Sequence, residues 1–257
     1  MVGDVLAIDI SYRVTMESSR LREMIERLDV EGPPRIEFIK RANRSGPRVG
    51  IFASSFNPTT SAHIELIRRA RVACSLDEMV ALAGLANADK ISYECPLEDR
   101  LAMLALAFAR DAQTSIGLSS HGFYVDMLDA LQRDYPQSDL HFVVGFDTFE
   151  RVLDPEDRYT KRYNRRFNDR LDALDYLLSR SRLVVAARRG AGREQVQTLL
   201  EPEPESFRER IVYLDFPSDL GERSATEVRD HLRAGQSITR LVPPAVEKYI
   251  QERGLYR

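Results

Sequence analysis

Apolar residues recur along this chain in two rhythms. Short apolar bursts, RVGIFA (48–53), EMVALAG (78–84), LHFVVG (140–145), RLVVAA (182–187) and RIVYLDF (210–216), read as strands, with a shorter one near TSIGL. LHFVVG is continuously apolar rather than alternating, as a strand buried on both faces of a parallel sheet is. Between the bursts the spacing changes to three or four. Ile64, Ile67, Ala70 and Cys74 share one face of a helix over 61–74, and Leu97, Leu101, Leu104 and Phe108 share one over 96–110. A further helix is predicted at about 123–133, and two more in ATEVRDHLRAG and PPAVEKYIQERG. Strands alternating with helices predict an α/β fold, a parallel sheet with helices on both faces. On such sheets ligands bind beyond the carboxyl ends of the strands.

Before the first burst, Leu21, Met24, Ile25 and Leu28 repeat at helical spacing until EGPPR interrupts them. Residues 1–47 are therefore predicted as a helical extension and 48–257 as the main domain. The polar region after LHFVVG is predicted to be irregular. It contains DRYTKRYNRRFNDR, part of a charged insertion at about 154–170.

Composition narrows the class. The chain has 257 residues, 43% hydrophobic and 30% charged, with a net charge of −3. That is enough chain for a substantial core, and no global field draws it to nucleic acid or to an anionic membrane. The bases and aromatics of KRYNRR are expected to be a solvated insertion. No apolar run is long enough to span a bilayer, and MVGDVLAIDISYR lacks the pattern of a signal peptide. The expected setting is the cytoplasm, with Cys74 and Cys95 as reduced thiols. The sequence holds no Walker loop, dinucleotide G-x-G-x-x-G, H-E-x-x-H or G-x-S-x-G. This excludes the usual marks of a P-loop kinase, a dehydrogenase, a zinc protease and a serine hydrolase.

The chemistry concentrates in GIFASSFNPTTSAH, residues 50–63. A strand leads through turn-forming residues to a helix start, with Thr60 placed to cap it and His63 in its first turn. Free backbone N–H groups and the positive end of the helix dipole suit phosphate. A histidine there can donate to a phosphoryl oxygen as charge develops, and Ser54 and Ser55 add hydroxyls and amides. Asn-Pro-Thr-Thr-Ser is equally good turn and cap chemistry. Further along, Ser224-Ala-Thr-Glu227 has the spacing of a capping box, with Arg229 one turn after Thr226. A capped helix start still presents amides to an anion. Gly145 and Asp147 follow the most apolar strand, where a glycine permits close approach and a carboxylate can accept ribose hydroxyls; a turn with a helix-capping Asp is an equally good reading. Lys90 is a candidate phosphate contact, though a lone lysine is more often a solvated surface group, and Arg188 and Arg189 rank lower because tandem arginines are usually exposed.

GIFASSFNPTTSAH resembles the first motif of the nucleotidylyltransferase superfamily, G-x-F-(G/D)-x-(S/T)-F-(N/D)-P followed by (H/T)-x-x-H, and most of all the nicotinamide/nicotinate mononucleotide adenylyltransferases. FVVGFDT (142–148) is similar to their I-x-G-x-D segment. SATEVRDHLRAGQSITRLVPPAVEKYIQERGLY (224–256) is similar to their S-S-T-x-I-R motif with its helix, L-V-P turn and C-terminal ending. The resemblance implies a Rossmann-like sheet with a C-terminal helical subdomain, and transfer of AMP from ATP to nicotinamide or nicotinate mononucleotide with release of pyrophosphate. It implies His63 and Arg229 as catalytic residues. It implies ATP binding by Ser55, Phe56, Thr60, His63, Gly145, Asp147, Ser224, Thr226 and Arg229, and acceptor binding by Lys90. It implies Mg²⁺ carried on substrate phosphates, with no protein metal ligands, and is compatible with a homo-oligomer. Ala53, Ser54, Ala62 and Ala225 depart from the family pattern. The family's pyridine-stacking tryptophans have no counterpart, since the chain has no Trp; Tyr124, then Phe123, is the substitute in chain order. Another phosphate-ester acceptor, or a nucleotide sensor of the same fold, remains the alternative reading.

Overall fold

A computed structural model describes residues 21–43, 46–85, 93–159, 166–186, 192–217 and 224–257. Seven strands form one sheet: β1 (Ile36–Lys40), β2 (Arg48–Ala53), β3 (Glu78–Gly84), β4 (Thr114–Ser119), β5 (Asp139–Gly145), β6 (Ser181–Ala186) and β7 (Ile211–Leu214). The helices between and after them are α1 (Ser61–Ala73), α2 (Leu97–Ala107), α3 (Tyr124–Asp134), α4 (Phe146–Leu153), α5 (Arg170–Leu178), α6 (Arg193–Leu200), α7 (Glu205–Arg208), α8 (Ala225–Arg233) and α9 (Pro244–Arg253). The strand order is β1-β4-β3-β2-β5-β6-β7. Every pairing is parallel except β1 with β4. Without β1 this is the doubly wound order, and the chain changes direction between β2 and β5, which opens a crevice at their carboxyl ends.

Alternate sheet residues feed the two faces. Phe52, Met79, Ala81, Ile116 and Val143 meet Ile67 and Ala70 of α1 and Leu101 and Leu104 of α2. Ile51, Val80, Leu82, Phe142 and Val144 meet Leu128 of α3, Phe149 of α4 and Leu174 of α5. A smaller core joins Met103 of α2 to Val228 of α8 and to Val246, Tyr249 and Ile250 of α9. This is the expected helical subdomain. Among the described residues no helix is long and apolar enough to cross a membrane.

Two expectations need correction. Among the described residues the extension is helical over 21–26, and Leu21, Met24 and Leu28 pack onto the first face. Ile36–Lys40 instead joins the sheet, pairing Ile36 with Ser119 and Phe38 with Gly117. The boundary at residue 47 thus cuts through the sheet. The region after β5 is not irregular: Phe149 and Leu153 of α4 and Leu174, Leu177 and Leu178 of α5 are buried. Of the charged insertion, Arg166 is tied to α3 through Asp129 at 2.7 Å, and residues 160–165 lie outside the described residues.

Candidate active site

The loop that leaves β2 runs from Ser54 to Thr60 at the change of strand direction. Ser54 N–H donates to the Leu82 carbonyl of β3 at 3.1 Å, which ties the loop to the sheet. Phe56 has φ +45° and is fully buried, with its ring edge-on to Phe52 at 5.8 Å and to His63 at 5.2 Å. A positive φ is uncommon outside glycine and persists only where surrounding packing determines it. Phe56, expected as an ATP contact, therefore has its ring in the core. The Asn57–Pro58 peptide is cis.

Thr60 is the N-cap of α1, and the cap is reciprocal. His63 N–H donates to Thr60 Oγ1 at 3.3 Å, and Thr60 N–H donates to His63 Nδ1 at 3.0 Å. A Glu or Gln usually takes the position His63 holds here. Since Nδ1 accepts, it carries no proton, and the imidazole N–H is at Nε2. The ring also packs 5.7 Å from Phe52. The first turn of α1 contains no acidic residue, so nothing there opposes an anion at the positive end of the helix.

The C-terminal motif arrives at the same loop. Ser224 caps α8, its Oγ accepting from Glu227 N–H at 3.1 Å. Arg229 Nη1 donates to the Asn57 carbonyl at 2.7 Å, and Nη2 to Thr226 Oγ1 at 3.1 Å. Its Nε stands 3.9 Å from the half-exposed Glu94, a weak, screened pair. The Arg229 side chain is 15% exposed, so its charge faces the loop rather than bulk water.

Gly145 ends β5 beside β2 and caps α4; Asp147 lies exposed in the first turn of that helix. Tyr124 is the first residue of α3. It is not a surface tyrosine: its ring stands edge-on to Phe142 of β5 at 5.2 Å, and burial pushes its hydroxyl pKa up. Phe123 pairs edge-on with Tyr159 of the insertion at 6.4 Å. Lys90, Arg188 and Arg189 lie outside the described residues.

Three residues support the loop by tertiary contacts; Leu241 and Tyr256 lie in the C-terminal stretch that carries the resemblance, but nothing in its pattern points to the loop. Arg100 of α2, 3% exposed, donates from Nη1 to the Ser55 carbonyl at 2.8 Å. Burial lowers its pKa. Tyr256 donates to Asn57 Oδ1 at 2.8 Å. The Leu241 carbonyl accepts from Ser61 N–H at 2.8 Å. Each partner is remote in sequence, so no local pattern announces it.

A doubly wound sheet whose crevice gathers helix N-termini, hydroxyls, an imidazole and an arginine from both ends of the domain defines a nucleotide-handling enzyme that acts on phosphate. A family profile described as Cytidylyltransferase-like matches residues 51–230. The chain belongs to this cytidylyltransferase-like family and is a nucleotidyltransferase. A Gemmatimonas aurantiaca protein named "Probable nicotinate-nucleotide adenylyltransferase" is 30% identical over 218 residues, covering 82% of this chain and 92% of its own length. A protein of the same name from Syntrophotalea carbinolica is 27% identical over 231 residues, covering 82% and 97%. The solved structure of Plasmodium falciparum nicotinic acid mononucleotide adenylyltransferase complexed with NaAD superposes with a TM-score of 0.60 at 16% identity, covering 82% of this chain and 98% of that one. That likeness is one of fold.

Proposed function

We propose that this enzyme transfers the adenylyl group of ATP to nicotinate mononucleotide, forming a dinucleotide and pyrophosphate. The observation that carries the reading is the 2.7 Å bond from Arg229 to the Asn57 carbonyl, which joins the N- and C-terminal motifs into one anion-binding surface. The names of the relatives favour nicotinate over nicotinamide as the acceptor.

An oxygen of the mononucleotide phosphate attacks the α-phosphorus of ATP. The bond from that phosphorus to the bridging oxygen breaks, and pyrophosphate leaves with the electron pair. No covalent enzyme intermediate is required. The protein contributes alignment and electrostatic stabilisation. His63 offers its Nε2–H to a phosphoryl oxygen as charge builds, because Nδ1 is engaged by Thr60. Arg229, with Ser224 and Thr226, holds the leaving pyrophosphate; a planar fork suits this better than a point charge. The amides of Ser55 and Phe56 and the start of α1 add donors. Gly145 lets the nucleotide approach, and Asp147 accepts from the ribose. Tyr124, beside Phe142, would contact the acceptor's ring, and Lys90, outside the described residues, is the candidate for its phosphate.

Mg²⁺ belongs to the same proposal. The donors at this loop are of the anion-binding kind, and among the described residues no group of three or more His, Cys, Asp or Glu is placed to hold a metal. In this proposal the ion comes with the nucleotide, bound by its phosphates and water, and would neutralise phosphate charge.

The test is pyrophosphate release with ATP or CTP against nicotinate mononucleotide, nicotinamide mononucleotide and other phosphate esters. Turnover should be highest with ATP and nicotinate mononucleotide. Preference for a non-pyridine acceptor overturns the assignment of substrate, and nucleotide binding without turnover on any acceptor overturns that of reaction.

A further inference from the structure

The chain's last turn is built back into the nucleotide loop. Helix α9 ends at Gly254, whose φ of +62° reverses the chain, and Tyr256 has φ +64°. A tyrosine adopts that conformation only where its side chain is held. Its ring lies in the small core with Cys95, Met103 and Val246. Its hydroxyl donates to Asn57 Oδ1 at 2.8 Å. Asn57 is 5% exposed and is held at both ends, since its carbonyl accepts from Arg229 Nη1 at 2.7 Å.

A closed ring of contacts results. Asp99 of α2 accepts from Tyr249 at 2.7 Å and from Arg253 at 3.2 Å, which fixes α9 on α2. The next residue, Arg100, grips the Ser55 carbonyl. Tyr256 closes the ring on Asn57. Asp99, Arg100 and Tyr256 are buried, Arg253 is half-exposed, and Arg100 Nε has no hydrogen-bond partner among the described residues; the bonds share residues, so each constrains the others.

We infer that Tyr256 is a positioning residue for ATP: its hydroxyl sets Asn57, and Asn57 sets the guanidinium of Arg229 against the polyphosphate. The inference rests on the proposed use of Arg229. A residue that merely fills the small core would show itself in stability, whereas this role shows itself in ATP affinity, through Arg229.

The experiment uses the full chain and three variants, Tyr256→Phe, Arg229→Lys and the double variant, with Mg-ATP as probe. Tyr256→Phe keeps the ring and removes the hydroxyl. It should raise the ATP Michaelis constant roughly five-fold, the equivalent of one neutral hydrogen bond. It should also reduce the thermal shift produced by ATP, with the ligand-free Tm nearly unchanged. In the Arg229→Lys background the same change should have no further effect, as for two groups acting in series. Equal effects in both backgrounds, or wild-type use of ATP by Tyr256→Phe, overturn the inference. If Tyr256→Phe lowers the ligand-free Tm, Asn57→Ala removes the other half of the bond and must reproduce the weaker ATP response; a normal response overturns the inference as well. The thermal shift needs no acceptor, so failure of the acceptor assignment would leave this result standing and separable.

Discussion

Arg229 and Asn57 are 172 residues apart in the chain, yet the guanidinium of one donates to the carbonyl of the other at 2.7 Å. The bond closes the loop after β2 onto the C-terminal subdomain, and in the proposed function it also orients the arginine for phosphate. Arg229→Lys keeps the charge and loses the fork that serves Asn57 and Thr226 together. The expected result is a turnover number lower by about ten-fold, a higher ATP Michaelis constant, and a stability loss of about 1 kcal/mol from the weakened hydrogen bonds. Steady-state kinetics and a denaturant titration measure both. Normal kinetics would reduce Arg229 to a fastener between two parts of the fold.

The proposed function gives His63 two separable duties. Nδ1 completes the cap with Thr60, and Nε2–H would be the donor for phosphate chemistry. His63→Ala removes both, whereas His63→Gln restores a side chain favoured at that position of a capping box. Both variants should lose about 100-fold or more in turnover, as for a lost transition-state donor. Only the alanine variant should lose stability, by about 1 kcal/mol. If glutamine restores turnover along with stability, the histidine serves the helix and not the reaction.

The sequence made these motifs visible but not how they are held. Strand β3 is legible to the residue because EMVALAG is a buried apolar run bounded by polar neighbours. The cap at Thr60 was legible as a type, since threonine precedes the periodic run. The reciprocal bond from His63 was not, because histidine has no strong local preference there. β1 escaped notice although Ile36 and Phe38 alternate with polar neighbours. Five residues between PPR and a polar stretch form a strand only because β4 offers an edge. α4 and α5 were hidden by charge: Phe149, Leu153, Leu174 and Leu177 have helical spacing, but acidic and basic residues surround them. The bonds Arg100–Ser55 and Tyr256–Asn57 are wholly tertiary, and no periodicity carries them.

The two cysteines should separate chemically. Both are free thiols. Burial pushes the Cys95 thiol up to about 11, so at pH 8 only about one molecule in a thousand carries the reactive thiolate. Burial also raises Cys74, but that residue is only partly buried. A disulfide-exchange reagent at pH 8 should titrate Cys74 slowly in the native protein and Cys95 only after denaturation. Rapid, equal labelling of both in the native state would mean that α2 and the C-terminal core open readily.

Tyr124 tests the acceptor side, where the chain departs furthest from its family. The ring packs edge-on against Phe142, three residues before Gly145, which places it in the core; in the proposed function it also meets the acceptor. These two duties predict different variants to fail. Tyr124→Ala should cost about 2 kcal/mol, because a partly buried aromatic is lost from a packed face. Tyr124→Phe should fold normally. If the ring stacks on the acceptor's pyridine, the phenylalanine variant also keeps the Michaelis constant for the mononucleotide. Tyr124→Leu preserves apolar volume without a flat face, and should raise that constant roughly five-fold, a loss on the order of 1 kcal/mol of stacking. The ATP constant should stay near wild type in both variants. A leucine variant with unchanged acceptor affinity would confine Tyr124 to the core and move the stacking surface to the neighbouring Phe123–Tyr159 pair.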